Sequence, residues 1–581
     1  MRRLNARGIS RLVAAIVIIV VLAVAGGAYY ILTGAQPPPP RQKTALTYGT
    51  SWDFTTLDPS TEFDISSKIL CNVYDTLLYF DSPTRKLIPV LATSWESNEE
   101  ATIWTFHLRQ GVKFHDGSQF NASAVKYSIE RTIQMAAGPA YIWAAVSEIN
   151  VLDDYTVEFR LKYPVALDYV ASAGYGAFIM SPSAPNTPEW LNVGHESGSG
   201  PYKLVSYDPT SKAVLEKSED WWGWKEPNYP RANPKAPDIY IMTVVRDYLT
   251  QETQVVAGDV DVVEDVPLED VQTLRANPSL LIHEFPTFRN LHFFLNTKKA
   301  PLNNSLVRLA IAHAIDYNAV VKVARSGYGS VASGPLPIGF PGHSDDFRYE
   351  YDLARAKDLL TKAGYSEATQ WPSLLFTYTT GDLAEKKTAE VIKANLAALG
   401  IDVEIRPMIH TDRLSLSQSG WKNPEAVQDL TLWYWWPTIV SPYDYLWALY
   451  YDHGTENPWN SGYYDDTRFS QLIDEALATE GKDWDKAMQM YHEAQKIIYD
   501  QIPGISLLDL TRVVLYRQGL ENIERAVDPM YETVLFAQVI GVEAARTTAA
   551  VLLPIELVAR MAEGMKSVPV RFSLTSHQSW T

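Results

Sequence analysis

Four large aromatic side chains stand in a row at Trp433, Tyr434, Trp435 and Trp436, and they are the residues of this chain best suited to hold a ligand. On a strand, successive side chains point to opposite faces, so Tyr434 and Trp436 share one face and Trp433 and Trp435 share the other. We expect one pair to lie in a core and the other to line a cleft, where aromatic rings stack on a ligand. Burial of all four as ordinary packing is the competing interpretation.

Residues that would perform catalysis or bind a metal are not arranged in any recognisable motif. The sequence contains no Gly-x-Ser-x-Gly, no glycine-rich phosphate loop and no His-Glu-x-x-His. His115 and Asp116 lie in a turn, where local hydrogen bonding is the favoured role. His283, His292 and His313 are scattered without the spacing of metal ligands. We therefore predict no catalytic residue, no metal site and no cofactor.

Length and composition indicate a large exported protein. The chain has 581 residues, too many for one hydrophobic core, and should divide into two or three domains. Its formal net charge of -18 disfavours binding to nucleic acid or to an anionic membrane surface. The one cysteine, Cys71, excludes an intrachain disulfide and a cysteine metal cluster. Because Cys71 does not end the apolar N-terminal segment, a lipid anchor is not expected.

The N-terminal segment predicts a membrane anchor within residues 1–35. Arginines at positions 2, 3, 7 and 11 precede an uncharged run from Leu12 to Leu32. A helix of this length spans about 30 Å, the thickness of a bilayer core. The arginines should remain cytoplasmic, which places the rest of the chain outside the cell as a single-pass membrane protein.

Two other interpretations of this segment also export the chain. Ala23-Val24-Ala25 is a possible signal-peptidase site. Arg7-Gly8 before an apolar run is similar to the processing sites of pilin-like signal sequences in archaea. Pro37–Pro40 then forms a stiff spacer within a linker at residues 36–45.

The globular part begins with strands and turns that lead into helices. Alternation over Ile103–Leu108 predicts a strand, and Asp116-Gly117 predicts a turn. Asn121 is placed to cap a helix, and its Asn-Ala-Ser sequon, like that at Asn303, is a candidate glycosylation site. Asp352 is placed to cap a later helix.

Helix and strand patterns alternate in the second half of the chain. A helix with apolar residues Ala389, Ile392, Leu396 and Leu399 is stopped by Gly400, and an alternating strand follows at once. This order predicts a parallel α/β unit. A last helix at about Asp485–Tyr499 precedes a strand-like run at Ile505–Leu510.

Several segments carry a family resemblance. Pro89–Trp95 matches the pattern P-x-LA-x-SW, and Trp104–Gly117 matches W-x-F-x-LR-x-GV-x-FHDG. Gly198–Tyr202 resembles GTGPY, and Asn290–Asp316 resembles a strand, an NT-x-x-PF loop and a VR-x-A-x-x-x-AID helix. Together they resemble the extracytoplasmic substrate-binding proteins of ATP-binding-cassette (ABC) importers, in the peptide and nickel family known as solute-binding protein family 5.

The resemblance implies an α/β fold of the periplasmic-binding-protein type, a two-lobed, three-domain type II clamshell with a hinge. Its expected parts are a lobe I core (46–70, 190–289 and 504–540), an inserted domain II (71–189) and a lobe II or domain III (290–503). The tail at 541–581 has no family counterpart. Within it, residues 543–566 are compatible with an amphipathic helix that is too polar to span a bilayer.

The resemblance also implies candidate ligand-binding residues. In the family, a segment matching Thr56–Pro59 crosses the cleft, and its flanks meet the ligand. The candidates here are Trp52, Phe54, Glu62 and Phe63, for each of which packing at a strand edge is an equal alternative. A charged residue beside an aromatic is rarely fully buried without a partner, so Glu62 is favoured.

One departure from the family pattern concerns the ligand's ammonium group. Peptide-binding members carry W-x-x-D-x-x-DP, in which the aspartate holds the α-ammonium of the peptide. Here Thr438 replaces that aspartate, Ser441 replaces the second acid, and Asp444 is one turn further on. Capture of a free peptide N-terminus is therefore less specifically supported. The abundance of Trp and Tyr keeps oligosaccharides open as ligands.

These observations predict an extracellular receptor of an ABC transporter, which captures oligopeptides between two lobes and delivers them to the membrane permease. Oligosaccharides are the alternative ligand. An enzyme would need paired carboxylates or a nucleophile in a recognisable motif, and a structural surface protein would show repeats. The sequence has neither. The expected partners are the ligand, the permease subunits and the membrane, and not nucleic acid.

Overall fold

The computed structural model describes residues 43–226, 229–365, 371–452, 458–535 and 538–541. The predicted anchor at 1–35, most of the linker and nearly all of the tail, including residues 543–566, lie outside the described residues. Within the described ranges, no helix combines the length and apolarity needed to cross a membrane. The described residues from Ala45 onward belong to one compact unit.

The strands of the described residues are numbered in chain order. They are β1 Ala45–Thr50, β2 Leu78–Asp81, β3 Lys86–Pro89, β4 Ala92–Ser97, β5 Ile103–Leu108, β6 Val146–Asp153, β7 Thr156–Leu161, β8 Tyr202–Asp208, β9 Lys212–Lys217, β10 Ile239–Val244, β11 Val262–Val263, β12 Leu280–Leu295, β13 Gly329–Val331, β14 Leu374–Thr379, β15 Val403–Met408, β16 Leu430–Trp435, β17 Gly504–Arg517, β18 Leu520–Glu521, β19 Val527–Asp528, β20 Thr533–Val534 and β21 Ile540–Gly541.

The α-helices are numbered in the same way. They are α1 Ser67–Val73, α2 Ala122–Met135, α3 Leu167–Val170, α4 Pro188–Leu191, α5 Tyr248–Ala257, α6 Val271–Leu274, α7 Ser305–Ala314, α8 Tyr317–Arg325, α9 Leu353–Lys362, α10 Leu383–Ala397, α11 His410–Ser419, α12 Pro442–Tyr450, α13 Thr467–Glu480, α14 Trp484–Gln501 and α15 Ile523–Ala526. Short 3-10 helices lie at Gly138–Trp143, Trp222–Lys225 and Pro424–Ala426.

One large sheet extends through most of the structure. In the described residues it has eleven strands in the order β15-β14-β16-β12-β17-β11-β1-β10-β9-β8, with β13 paired to β17. Strands β14 and β15 are parallel and joined by α10, so Leu374 lies opposite Val403. The predicted parallel α/β unit is confirmed. Its helix buries Ala389, Ile392 and Leu396, as the spacing predicted.

Two long antiparallel strands connect the two sides of this sheet. Strand β12 pairs with β16 at one end, over Asn290–Leu295, and with β17 along most of its length. The far end of β17 pairs with β11. The register of β12 against β17 shifts between Pro286 and Asn290, beside the predicted boundary between lobes at 289/290. The domain boundaries themselves remain a prediction.

A separate four-stranded antiparallel sheet, in the order β4-β5-β7-β6, lies in the predicted inserted domain. Alternate side chains of β5, at Trp104, Phe106 and Leu108, are buried in its core, which confirms the alternation expected there. Helix α2 is capped as predicted, because the Asn121 side chain accepts a hydrogen bond from the Ala124 N–H at 3.1 Å. Capping holds the first turn of the helix in place.

Other local predictions can be compared with the structure. Asp352 caps α9 through the N–H of Arg355. Asp116 hydrogen-bonds within the predicted turn, where its carboxylate accepts from the Ser118 N–H at 2.8 Å, whereas His115 Nδ1 lies 2.8 Å from Oε1 of Glu196, which is 81 positions away. Of the two sequon asparagines, Asn303 is exposed and Asn121 is half-buried. Cys71 is buried on α1, and burial raises the pKa of its thiol.

Candidate functional site

A cavity of about 810 Å³ is the candidate ligand site. One part of its wall comes from residues 63–64, 138 and 141, in the first quarter of the chain. Most of the remaining wall comes from the end of β16 and from helices α10, α11 and α12. Eight of its lining residues are aromatic apart from histidine: Phe63, Tyr141, Trp433, Tyr434, Trp435, Trp436, Trp447 and Trp459. Such a surface suits stacking on planar or apolar ligand groups.

All four residues of the aromatic run line this cavity, and they divide by strand alternation. Trp433 and Trp435 both make edge contacts with Trp459, at centroid distances of 5.4 and 5.6 Å. Trp433 is only 2% exposed, and its Nε1 donates a hydrogen bond to Ser461 Oγ at 2.7 Å. Trp435 is half-buried. One face of the strand thus combines core packing with cavity lining.

The other face of the strand meets an arginine. The Arg289 guanidinium lies 4.8 Å from the ring centroid of Tyr434 and 4.8 Å from that of Trp436. The Glu532 carboxylate lies 3.8 Å from its Nη1, too far for a hydrogen bond. Within the described residues, the Nε of Arg289 has no hydrogen-bond partner but is itself buried, whereas the side chain as a whole is 31% exposed. Arg289 therefore has donors available to an anionic group in the cavity.

A second arginine in the cavity wall is paired with a buried acid. Arg413 on α11 forms a two-point ion pair with Glu385 on α10, with N–O distances of 2.9 and 3.3 Å. Its guanidinium also lies 3.8 Å from the Trp433 ring centroid. Both members of the pair are buried. This pair shapes the wall, since its charges already neutralise each other.

Two further acids line the cavity. Asp382 is half-buried and caps α10 by accepting a hydrogen bond from the Glu385 N–H at 2.8 Å. Asp64 is exposed and lies beside Phe63. A carboxylate can accept several hydrogen bonds at once, so both acids retain capacity for a ligand cation.

The candidates that flank Thr56–Pro59 separate into two groups. Phe63 lines the cavity, whereas Trp52, Phe54 and Glu62 are not part of its lining. Trp52 is 59% exposed and Phe54 is buried. Glu62 is buried because its carboxylate is satisfied locally, by hydrogen bonds from Thr55 and from the N–H groups of residues 56, 64 and 66.

Thr438 lines the cavity, and Asp444 lies directly behind it. The Asp444 carboxylate accepts hydrogen bonds from the Thr438 N–H at 3.2 Å, the Trp435 Nε1–H at 3.3 Å and the Tyr141 hydroxyl at 3.0 Å. Burial raises the pKa of Asp444 to about 7, against the effect of these donors. Ser441 hydrogen-bonds to Glu480 and is buried away from the cavity.

Sequence reasoning did not identify several lining residues, among them Arg289, Asp382, Glu385, Arg413, Trp447 and Trp459. One signal was available for Arg289, which directly precedes the motif block Asn290–Asp316. The Arg413–Glu385 pair carried no such signal, because its members lie on different helices 28 positions apart.

Comparison with known proteins shows the family. The sequence profile of the bacterial extracellular solute-binding proteins, family 5 (middle region), matches residues 86–457, well over half of the chain. The chain belongs to this family. It is accordingly an extracytoplasmic solute-binding protein.

Two relatives of this family 5 protein extend the similarity over most of the chain. The probable D,D-dipeptide-binding periplasmic protein DdpA of Escherichia coli K12 is 28% identical over 507 residues, covering 85% of this chain and 93% of the relative. The glutathione-binding protein GsiB of Pectobacterium atrosepticum is 29% identical over 469 residues, covering 78% and 86%.

Solved structures agree on the fold. The periplasmic binding protein DppA of Helicobacter pylori, in complex with the peptide STSA, superposes with a TM-score of 0.70 at 26% identity and covers 86% of this chain and 99% of its own. NikA of Brucella suis, in complex with Fe(III)-EDTA, gives a TM-score of 0.75 at 19% identity and covers 85% and 99%. The predicted α/β, two-lobed periplasmic-binding-protein fold is confirmed.

Proposed function

We propose that this protein is the receptor of an ABC importer, that it captures oligopeptides between its two lobes, and that it delivers them to the membrane permease. The observation that carries the proposal is one cavity of about 810 Å³ that combines aromatic walls, an arginine with available donors and acids of opposite charge. A short peptide is a zwitterion with apolar parts, and such a cavity complements it. The relatives named above for D,D-dipeptides and glutathione support this ligand class.

The proposed contacts follow from the chemistry of each group. Arg289 binds the ligand carboxylate, because guanidinium and carboxylate form charge-assisted, two-point hydrogen bonds. Asp382 and Asp64 attract the ligand ammonium group. These two acids thus take over the role of the family aspartate that Thr438 replaces in this chain. The rings at 433–436 and Phe63 pack on the peptide and its side chains. Asp444 acts from behind Thr438 by fixing the Trp435 ring.

Binding and release require no bond to be made or broken, so the protein acts as a receptor and not as an enzyme. Each lobe supplies part of the contact surface, and the ligand therefore stabilises the closed arrangement over the open one by the difference in contacts. The permease then recognises the closed lobes. The remaining flanking candidates, Trp52, Phe54 and Glu62, would support the crossing segment.

The N-terminal segment completes the proposal as a single-pass anchor that holds the receptor on the outer face of the cell membrane. The apolar run Leu12–Leu32 is long enough to span a bilayer, and the arginines before it favour a cytoplasmic N-terminus. The proline run Pro37–Pro40 would act as a stiff spacer. Asn121 and Asn303 are the proposed glycosylation sites of the exported part.

A ligand screen tests the proposed function. The full chain, purified in mild detergent, is heated in the presence of alanine-based tripeptides, pentapeptides or maltooligosaccharides, and its melting temperature is measured. We expect saturable stabilisation by peptides, as for any ligand that binds the native state alone. Stabilisation by oligosaccharides without any by peptides would overturn the ligand class. Turnover of a peptide during the measurement would overturn the assignment as a receptor.

A further inference from the structure

A second, smaller cavity lies beside the large one. Its volume is about 150 Å³, and the two cavities share two lining residues, Tyr141 and Trp447. The rings of these residues are stacked, with centroids 6.4 Å apart and planes at 13°. The two cavities therefore have part of their walls in common.

Residues from two parts of the chain form the walls of the small cavity. Tyr163 and Tyr169 come from the predicted inserted domain, and Tyr443 and Glu480 come from helices α12 and α13 of predicted lobe II. Tyr163 is 42% exposed, so this part of the wall borders solvent. Its volume exceeds by far the roughly 10–15 Å³ that one water needs. It is large enough for a side chain.

The small cavity contains acid without a compensating base. Asp444 and Glu480 both line it and are 2% and 5% exposed. The Oε1 of Glu480 accepts hydrogen bonds from the Tyr491 hydroxyl and from Ser441, whereas its Oε2 has no hydrogen-bond partner in the described part of the chain. None of the described residues that line the cavity is Arg or Lys. Burial raises the pKa of each carboxyl to about 7.

We propose that the small cavity is a specificity site that receives a positively charged side chain of the bound peptide, that of lysine or arginine. The inference rests on the proposed peptide-binding function. The Oε2 of Glu480 accepts a hydrogen bond from the incoming cation, and Asp444, which lines the same cavity, adds its charge. The ring of Tyr163, which lines the cavity and is 42% exposed, attracts the same cation through its ring electrons.

The bound cation also changes the protonation of Asp444 and Glu480. A buried carboxyl with a raised pKa is partly protonated near neutral pH, and a cation beside it favours the ionised form. A peptide with an uncharged side chain of the same length would leave both carboxyls without this partner. The small cavity would therefore discriminate between ligands, while the large cavity holds the parts that all peptides share.

A side-chain scan tests the inference on the full chain. Alanine-based tripeptides and pentapeptides carry a single lysine at each position in turn, and a matched set carries norleucine, which has a similar length and no charge. Affinities are measured by isothermal titration calorimetry. We expect lysine at one position to bind at least about tenfold tighter than norleucine, since a hydrogen bond to a charged group is strong.

Two variants locate the effect. Glu480→Gln keeps the length of the side chain and an oxygen for Ser441 and Tyr491, and we expect it to abolish the preference for lysine over norleucine. Tyr163→Leu removes an exposed aromatic wall with little risk to folding, and we expect it to weaken the preference. Circular dichroism verifies that both variants are folded.

The outcomes separate this inference from the function on which it rests. Equal binding of lysine and norleucine peptides at every position would overturn the specificity site and leave the peptide receptor intact. A lysine preference that persists unchanged in both variants would also overturn it. If no peptide of either set binds, the specificity site and the proposed function both fail.

Discussion

The two cavities differ in how they treat charge. In the large cavity acids and bases are mixed: Arg413 is paired with Glu385, and Arg289 lies within the same walls as Asp382. The small cavity is lined by two carboxyls and four tyrosines, and its described lining contains no Arg or Lys. The pKa values of its acids rise to about 7 because burial disfavours their charged forms.

This difference teaches that burial alone does not decide whether a carboxyl is ionised near neutral pH. Glu385 and Glu480 are both buried, and burial raises the pKa of both. For Glu385, the charge of Arg413 within hydrogen-bonding distance opposes this rise, whereas Glu480 has only hydroxyl donors. A pre-paired charge contributes to the shape of a site. An unpaired acid can instead change its protonation when a ligand binds or the pH changes. Mutations should separate this role from the structural role of the paired charge.

The largest expected effect concerns the paired charge. Arg413→Met removes the partner of Glu385 and should lower the free energy of unfolding by about 3–5 kcal/mol, because a buried carboxylate is left without compensation. Urea denaturation measures this change. Addition of Glu385→Gln should restore most of the loss, because the uncompensated charge is removed. If Arg413→Met and Glu480→Gln destabilise equally, the contrast between the cavities is wrong.

The next effect is on the pH dependence of stability. The pKa of Glu480 is raised in the folded protein, so its contribution is complete below the unfolded pKa of about 4.5 and is lost as the pH rises through about 7. The shift corresponds to about 3 kcal/mol. Between pH 4.5 and 7.5, Glu480→Gln should therefore lose less stability than the parent. Parallel pH profiles for the two proteins would contradict this expectation.

An intermediate effect concerns the arginine of the large cavity. Arg289→Met should weaken binding of trialanine about 10- to 100-fold, since its charge-assisted hydrogen bonds are lost. Binding of trialanine amide, which has no carboxylate, should change much less. Calorimetry on both ligands provides the comparison, and an equal loss for both would show that Arg289 acts by packing and not by charge.

The smallest effect concerns a ring contact made by Tyr169, which lines the small cavity. Tyr169 stacks on Trp484 with ring centroids 4.2 Å apart and planes at 3°, which links the predicted inserted domain to predicted lobe II. Tyr169→Leu should lower the free energy of unfolding by roughly 1 kcal/mol. It should also increase the radius of gyration of the ligand-free protein in X-ray scattering, because the lobes separate more readily. A variant indistinguishable from the parent in both measurements would exclude this role.

Much of the fold could be predicted because its signals are local. The alternation in β5, the caps at Asn121 and Asp352, and the helix–strand order of α10 and β15 each depend on residues within a few positions of one another. The structure shows each of them. The aromatic run was likewise recognised as a candidate wall from its residue types alone.

The rest depends on pairings between distant parts of the chain. Strands β12 and β17 are more than 200 positions apart, and no periodicity specifies their partner. For Glu62, the local turn offered four donors, and these account for its burial without a ligand. The small cavity was not predictable, because Tyr163 and Glu480 meet only once both lobes are folded.

The burial of the one thiol in this chain has a practical consequence. Cys71 on α1 is buried in the protein core, so a thiol-reactive dye should label an added surface cysteine and spare the native one. Phe63 is 41% exposed and lines the large cavity. The walls of that cavity also contain several indole rings, which quench fluorescence. A dye attached after Phe63→Cys would convert this receptor into an optical sensor whose brightness follows occupancy.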